Sequence, residues 1–199
     1  MILTITGPSA SGKTTLMRGL IAERAGIEPL ESVTTRQPRE SDVPGEYKYV
    51  PESWFETFLQ EDAFLWYIIL HGNRYGTRKQ TVDLALEDTR THVAILDFRG
   101  VHKLIWRAIA QDKRELVRSI YLYVEDEHIL RARMTQRKSE SPEKIEQRIA
   151  ECRPWNKFAR SIEHIIPFRF IDGSLPTEKV LKQTLTVLDE PIKNMRPSF

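Results

Sequence analysis

The sequence contains a single cysteine, Cys152, among its 199 residues. One cysteine excludes an intrachain disulfide framework and is typical of a protein of the reducing cytosol. No catalytic cysteine motif flanks it, so we interpret it as structural. A chain of this length can bury a core without covalent staples, and we expect a cytoplasmic protein.

The sequence also lacks long apolar runs and a marked excess of either positive or negative charge. No apolar run approaches the roughly 18 residues of a membrane span, and the N-terminus lacks the basic region of a signal peptide. Lys+Arg number 30 against 28 Asp+Glu, a net charge of +2, whereas nucleic-acid binding would show a basic excess. We therefore expect neither a membrane nor a nucleic acid as partner; the sequence does not distinguish a monomer from a dimer.

Strand-like apolar runs alternate with helical patterns along most of the chain. Strands are expected at 2–6, 93–97, 120–124 and 168–171, and helices at 13–24, 101–110, 126–137, 143–151 and 177–188. Strands separated by helices predict an α/β fold, in which a parallel sheet is flanked by helices. We interpret residues 1–188 as one domain and 189–199 as a C-terminal tail.

Residues 31–87 differ from this pattern because prolines and glycines interrupt them repeatedly. Polar and aromatic residues alternate in Tyr47-Lys48-Tyr49-Val50, a pattern typical of a short strand. The segment predicts an inserted subdomain of short strands with a helix at about 52–60.

One motif indicates phosphate binding. The pattern G-x-x-x-x-G-K-[ST] is matched by Gly7-Pro8-Ser9-Ala10-Ser11-Gly12-Lys13-Thr14. The motif follows a predicted strand and opens a predicted helix, so backbone N–H groups and the positive helix end would face one anion. This predicts a P-loop for ATP, with Lys13 at the β- and γ-phosphates. The candidate nucleotide-binding residues are Gly7, Ser9, Ala10, Ser11, Gly12, Lys13, Thr14 and Thr15.

Two oxygen-bearing side chains are candidates for holding Mg²⁺. The hydroxyl of Thr14 lies in the P-loop motif. Asp97 ends an apolar run, and the carboxyl ends of parallel strands are where ligands bind in such folds. We expect Asp97 to hold the ion through water, although an aspartate that merely begins a loop is the alternative.

Three further segments resemble the guanylate kinase family in order and spacing. They are Ser32-Val33-Thr34-Thr35-Arg36-Gln37-Pro38-Arg39, Gly45-Glu46-Tyr47-Lys48-Tyr49-Val50 and His71-Gly72-Asn73-Arg74-Tyr75-Gly76-Thr77. With the P-loop, the resemblance covers about residues 1–188. It implies a P-loop kinase that uses ATP and Mg²⁺, an acceptor-binding insert at about 31–87, and an arginine-bearing lid at about 133–150.

The resemblance also implies roles for individual residues. The acceptor phosphate would be bound by Ser32, Arg36, Arg39, Tyr47 and Tyr75. Guanidinium groups can fork onto phosphate oxygens, and hydroxyls add further donors. Thr77 would hydrogen-bond the edge of the acceptor base.

Three arginines resemble those of the family's lid: Arg133, Arg137 and Arg148. With Lys13 they would neutralise charge on the transferred phosphoryl group. Acidic neighbours leave a solvated, salt-bridged helix as the other interpretation.

Two positions depart from the family. Trp66 and Ile95 stand where it carries acids that take part in recognising guanine, and neither side chain can accept guanine's hydrogen bonds. Each buried donor left unpaired costs about 1–3 kcal/mol. We therefore expect a changed preference among acceptors, GMP and dGMP included. Trp66 would either contact the acceptor or pack in the core.

Two other functions stay open. The segment Asp172-Gly173-Ser174-Leu175 resembles a related branch, the ribose bisphosphokinases, whose acceptor is the phosphosugar ribose 1,5-bisphosphate. A guanylate-kinase-like module that binds phosphopeptides without catalysis is the second, but it has little use for Lys13, Thr14 and Asp97. The expected partner is a small-molecule nucleotide or phosphosugar.

Overall fold

A computed structural model of the chain describes residues 1–40, 42–70, 72–136 and 141–191. The strands in these ranges are β1 (Ile2–Thr6), β2 (Ile27–Pro29), β3 (Ser32–Thr34), β4 (Tyr47–Tyr49), β5 (Phe64–Leu70), β6 (Asn73–Arg78), β7 (Thr91–Ile95), β8 (Val117–Tyr123) and β9 (Arg169–Asp172). The α-helices are α1 (Lys13–Glu23), α2 (Glu52–Gln60), α3 (Lys79–Glu87), α4 (Phe98–Ile109), α5 (Glu127–Gln136), α6 (Pro142–Ser161) and α7 (Thr177–Asp189).

The central sheet has the strand order β2-β7-β1-β8-β9, and every pair in it is parallel. All residues of β1 are buried, as expected for a central strand covered on both faces. Leu3 and Ile5 pack in the layer that holds α1 and α7, whereas Ile2 packs with α3 and α4 on the opposite face. The predicted α/β fold with a parallel sheet is confirmed.

A second sheet has the order β4-β3-β6-β5 and mixes parallel with antiparallel pairs. One face is covered by α2, because Phe55 packs with Val33, Val50 and Phe64 in one cluster. Gly76 makes that contact possible, since a Cβ there would stand 2.6 Å from the Phe64 ring. The second sheet therefore has one face toward α2 and a second face turned away from it.

Several predicted elements need correction at their ends. The strand predicted at 93–97 runs from Thr91 to Ile95, so Asp97 lies beyond it. The helix expected from 101 begins at Phe98, because the Asp97 side chain caps it. The helices predicted at 52–60 and 177–188 are confirmed.

The helix predicted at 143–151 is ten residues too short at its C-terminal end, because α6 continues to Ser161. Buried Ile149, Cys152, Asn156 and Ala159 continue one helical face past Pro154. Charged residues between these positions hid that face in the sequence. Most of the predicted tail, residues 192–199, lies outside the described part of the chain, and the division into domain, insert and lid stays a prediction.

Within the described ranges, none of the helices combines the length and apolar character needed to cross a lipid bilayer. The cytoplasmic location stays a prediction.

Candidate active site

The P-loop connects the end of β1 to the start of α1. Gly12 caps α1 with a φ of 105°, a left-handed conformation that glycine adopts without strain. A Cβ on Gly7 would stand 2.3 Å from the Leu122 carbonyl oxygen, so only glycine lets the loop pass β8 here. The loop is thereby held in the curled form whose N–H groups can converge on an anion.

Lys13 folds back over this loop. Its Nζ donates to the carbonyl oxygens of Gly7 at 2.9 Å and Pro8 at 2.7 Å. Inside the same loop, the buried Ser11 hydroxyl has no hydrogen-bond partner among the described residues. An orphaned hydroxyl beside a lysine fits a site whose anionic ligand completes the hydrogen bonding.

A cavity of about 280 Å³ opens beside the P-loop, between α5 and the start of α7. Its lining includes Gly12, Thr15, Arg133, Gln136, Leu175 and Val180. Its walls mix polar side chains such as Arg133 and Gln136 with the apolar Leu175 and Val180, which suits a small ligand that carries both a ring system and polar groups.

Arg133 joins three segments at the rim of this cavity. Its guanidinium donates to the Ala10 carbonyl at 3.2 Å and to the Gly173 carbonyl at 2.9 Å. Gly173 itself approaches the P-loop closely, because a Cβ there would stand 2.5 Å from the Ser11 carbonyl oxygen. Sequence reasoning missed the part played by Gly173, and no local pattern signals it.

The structure describes one of the other two predicted lid arginines. Arg148 is half-buried on α6, and Arg137 lies outside the described residues. Near them, α5 and α6 are linked by the exposed pair Arg131 and Glu146, whose two contacts measure 2.6 and 2.8 Å. One of the acidic neighbours noted in the sequence, Glu146, thus does form an ion pair, but with Arg131.

Asp97 and Thr14 follow two adjacent strands, since β7 pairs with β1. Asp97 Oδ1 accepts the Gly100 N–H at 2.8 Å, which fixes the carboxylate at the start of α4. The described residues contain no group of three or more His, Cys, Asp or Glu able to hold a metal. One carboxylate, one hydroxyl and the oxygens of phosphate and water are a donor set that suits Mg²⁺, so these residues fit the ion.

Four predicted acceptor residues form one row across the second sheet. Tyr47 pairs with Ser32, and Trp66 pairs with Thr77. The β3–β6 register places Ser32 opposite Thr77, and their hydroxyl oxygens are 3.1 Å apart. Because directly paired residues share a face and Val33, next to Ser32, packs against α2, the row lies on the face of the sheet turned away from α2. Tyr75 occupies the next row, with its ring 6.1 Å from that of Tyr47.

Trp66, at one end of the row, is 8% exposed and belongs to the main core. Its ring lies against α4, because a Cβ on Gly100 would stand 3.2 Å from it. The indole N–H is buried and has no partner among the described residues. Ile95 instead packs in the layer of α1 and α7, away from this row.

Arg36 is buried at the other end of the row. It donates to Asp42 at 2.8 Å and to the Gln37 carbonyl at 2.8 Å, and its Cζ lies 5.2 Å from the Tyr47 ring centroid. Burial alone would raise the pKa of Asp42, but hydrogen bonds from Arg36, Tyr49 and the Arg39 backbone hold it below its ordinary value. The Arg39 side chain is exposed.

Glu46 is a second buried acid beside this end of the row. Burial raises the pKa of Glu46, which also accepts the Val43 N–H at 3.3 Å. Burial and then Glu46 raise the pKa of the Tyr47 hydroxyl. Sequence reasoning missed Asp42 and Glu46; acids inside an arginine-bearing phosphate motif were the signal that could have found them.

Comparisons with known proteins agree with this architecture. Residues 1–171 match the family model described as guanylate kinase. A guanylate kinase of Wolinella succinogenes is 32% identical over 181 residues, which cover 90% of this chain and 80% of that protein. One of Symbiobacterium thermophilum is 31% identical over 167 residues, which cover 83% of this chain and 76% of that protein.

Solved structures show the same fold. The crystal structure of a guanylate kinase from Anaplasma phagocytophilum is 20% identical, with a TM-score of 0.62, and the match covers 94% of this chain and 84% of that one. A sugar kinase from Janibacter sp. is 17% identical, with a TM-score of 0.50 and 94% of each chain covered. At these identities the likeness concerns the fold alone, and the predicted P-loop α/β fold is confirmed.

Proposed function

The chain belongs to the guanylate kinase family, and from that premise we propose that it phosphorylates a nucleoside monophosphate for which guanine is not the preferred base. As a member, it is a P-loop phosphotransferase that uses ATP with Mg²⁺ and acts on small-molecule nucleotides. One observation carries the finer proposal. The residues that the family resemblance assigns to the acceptor phosphate are all present, while the opposite end of the acceptor row holds Trp66 where the family carries a carboxylate.

For the donor side, we assign the triphosphate to the P-loop and Lys13, and the cavity beside Arg133 to the donor's base. Thr14 and Asp97 would hold Mg²⁺, which neutralises charge on the phosphates when bound. Arg133 and Arg148, with Arg137 outside the described residues, would stabilise negative charge on the phosphoryl group in transfer. Phosphoryl transfer has a loose transition state, so positioning and charge neutralisation supply most of the catalysis.

For the acceptor side, we assign the phosphate to Arg36, Arg39, Tyr47 and Tyr75. The buried Arg36 guanidinium offers the forked donors that match phosphate oxygens. The acceptor would then extend along the row toward Trp66, past the hydroxyls of Ser32 and Thr77.

The far end of the row decides the base. Guanine presents an N1–H and an amino group that need acceptors. The row offers two hydroxyls, which accept more weakly than a carboxylate, and the indole of Trp66, whose ring lies against Gly100 and whose N–H can only donate. Each unpaired donor of guanine costs about 1–3 kcal/mol, and 1.4 kcal/mol is a tenfold change in preference. Bases whose edges present acceptors suit this end better.

A competition experiment tests the proposal. The chain is given Mg-ATP with GMP, dGMP, AMP, the pyrimidine monophosphates and ribose 1,5-bisphosphate at equal concentration, and the phosphorylated products are quantified. We expect a nucleoside monophosphate whose base is not guanine to dominate. If GMP or dGMP dominates, the proposal fails, and a hundredfold preference for either would mean that the site gains roughly 2.7 kcal/mol of discrimination by another route. Dominant use of ribose 1,5-bisphosphate would instead assign the chain to the sugar-phosphate kinases.

A further inference from the structure

The loop between β3 and β4 folds back on the residues assigned to the acceptor phosphate and presents Asp42 to them. The Asp42 carboxylate accepts from Arg36 Nη2 at 2.8 Å, from the Arg39 backbone N–H at 2.7 Å and from the Tyr49 hydroxyl at 2.7 Å. The Arg36 side chain is 7% exposed and that of Asp42 is 15% exposed. This ion pair is therefore largely withdrawn from water.

The three donors are of the kinds that bind a phosphate monoester. A guanidinium, a backbone N–H and a phenolic hydroxyl all donate to anionic oxygens, and a guanidinium accommodates carboxylate and phosphate alike. Asp42 thus presents a carboxylate to Arg36, one of the side chains to which the family resemblance assigns the phosphate. Glu46, from the same loop, lies beside the Tyr47 hydroxyl, a second group assigned to the phosphate.

We propose that Asp42 occupies the acceptor-phosphate site of the ligand-free protein, and that the acceptor's phosphate takes its place on Arg36. The inference rests on the proposed function, because it assigns the acceptor phosphate to Arg36. A phosphate dianion added beside Asp42 would meet a like charge across one guanidinium, with little water to screen the repulsion. Exchange removes that repulsion and keeps the buried Arg36 charge compensated in both states.

The alternative is a carboxylate that stays on Arg36 and orients it. Both terminal nitrogens of Arg36 are engaged, Nη1 by the Gln37 carbonyl and Nη2 by Asp42. Of these two partners, only Asp42 carries a charge that an incoming anion repels. The two arrangements also predict opposite changes in acceptor affinity when the carboxylate is removed. Loss of an orienting carboxylate weakens acceptor binding, whereas loss of a competing carboxylate strengthens it.

The decisive measurement is calorimetric binding of each of the four ribonucleoside 5′-monophosphates, without ATP, to the wild type and to Asp42→Asn. The asparagine keeps an oxygen that can accept from Arg39 and Tyr49 but has no charge. We expect Asp42→Asn to bind the preferred monophosphate about tenfold more tightly. The double variant Arg36→Ala/Asp42→Asn should lose this gain. Asp83→Asn, which breaks a partly exposed ion pair with Arg107 on the surface of α3 and α4, should bind like the wild type.

Equal or weaker binding by Asp42→Asn would overturn the exchange, and so would failure of both proteins to bind any monophosphate. If Asp42→Asn does not fold, Asp42→Ser gives the same comparison with a smaller uncharged side chain. Product formation with Mg-ATP tests the proposed function separately. Turnover with unchanged binding in Asp42→Asn defeats the exchange alone, whereas tighter binding without turnover of any acceptor defeats the proposed function alone.

Discussion

Arg133 on α5 donates to the carbonyl oxygen of Gly173, in the loop before α7, at 2.9 Å. The same guanidinium reaches the P-loop through Ala10. One side chain therefore fixes the positions of α5 and of the β9–α7 connection relative to the loop assigned to the donor phosphates.

This close packing makes Gly173 sensitive to a single methyl group. Gly173→Ala would place Cβ 2.5 Å from the Ser11 carbonyl oxygen and 3.3 Å from that of Tyr123. Both contacts are backbone, so we expect a loss of about 1–3 kcal/mol in the free energy of unfolding, with a raised KM for ATP. Urea denaturation and steady-state kinetics measure the two effects.

Gly19→Ala is the matched control, because its Cβ would meet only Leu181 methyl groups at 3.6 Å. Inside α1, alanine should stabilise the protein by about 0.5–1 kcal/mol. Equal stability of the two alanine variants would show that Gly173 does not pack closely against the P-loop.

Lys13 is expected to be essential for turnover but not for folding. Lys13→Ala removes the charge at the P-loop, and we expect the rate to fall by at least about a hundredfold, with an unchanged circular dichroism spectrum. Lys182→Ala, an exposed lysine on α7, should retain the wild-type rate. Near-normal ADP release from folded Lys13→Ala would refute the donor-site assignment.

Substitutions of Arg36 and Arg39 should differ in their effect on stability and agree in their effect on acceptor binding. Arg36→Ala leaves the poorly exposed Asp42 unpaired, so we expect a loss of about 3 kcal/mol in unfolding free energy. The exposed Arg39 has no such structural part, and Arg39→Ala should stay as stable as the wild type. Both variants should show a raised acceptor KM with little change in the KM for ATP. A raised KM for ATP with normal acceptor kinetics would contradict the assignment.

Glu46 should make stability depend on pH. Burial raises the pKa of Glu46, so the native state binds a proton there more tightly than the unfolded chain does. Wild-type stability contributed by this group is complete below pH 4.5, the ordinary glutamate value, and is lost as pH rises through the native pKa. Glu46→Gln should therefore be more stable than the wild type at pH 7.5, and the difference should vanish at pH 4.

Urea denaturation at the two pH values checks this, with Glu61→Gln, on the exposed surface, as the control. A Glu46→Gln variant that is less stable at pH 7.5 would mean that the ionised carboxylate is favoured by its neighbours.

Local patterns predicted the parts of the fold that depend on local sequence. The P-loop, β1 and the helix at 52–60 each rest on a contiguous motif or period. The row of acceptor residues on the second sheet could not be predicted this way, since it depends on the register among four strands. Arg133 shows the same limit: its partner Gly173 is forty residues away, and a charged helix in sequence looks identical whether its arginine meets water or a carbonyl.

The predicted ends of some elements were wrong for a related reason. The apolar run that suggested a strand through Asp97 includes Leu96, which is buried after β7 has ended. The Leu96 N–H still donates to the Ile5 carbonyl at 3.2 Å, but the regular strand ends at Ile95 because the Asp97 side chain caps α4 two residues later. Hydrophobicity marks what is buried and does not mark where a strand ends.

The row from Tyr47 to Trp66 crosses the sheet from one edge strand, β4, to the other, β5. At a strand spacing of about 4.8 Å, its ends lie roughly 14 Å apart. A substitution on β5 changes one end of the row and leaves the strand that carries Tyr47 where it was. Under the proposed assignment, mutation of an edge strand can change which base such a chain accepts, while the residues assigned to the phosphate stay as they are. A lineage could then pass from one acceptor to another without an intermediate that no longer binds the phosphate.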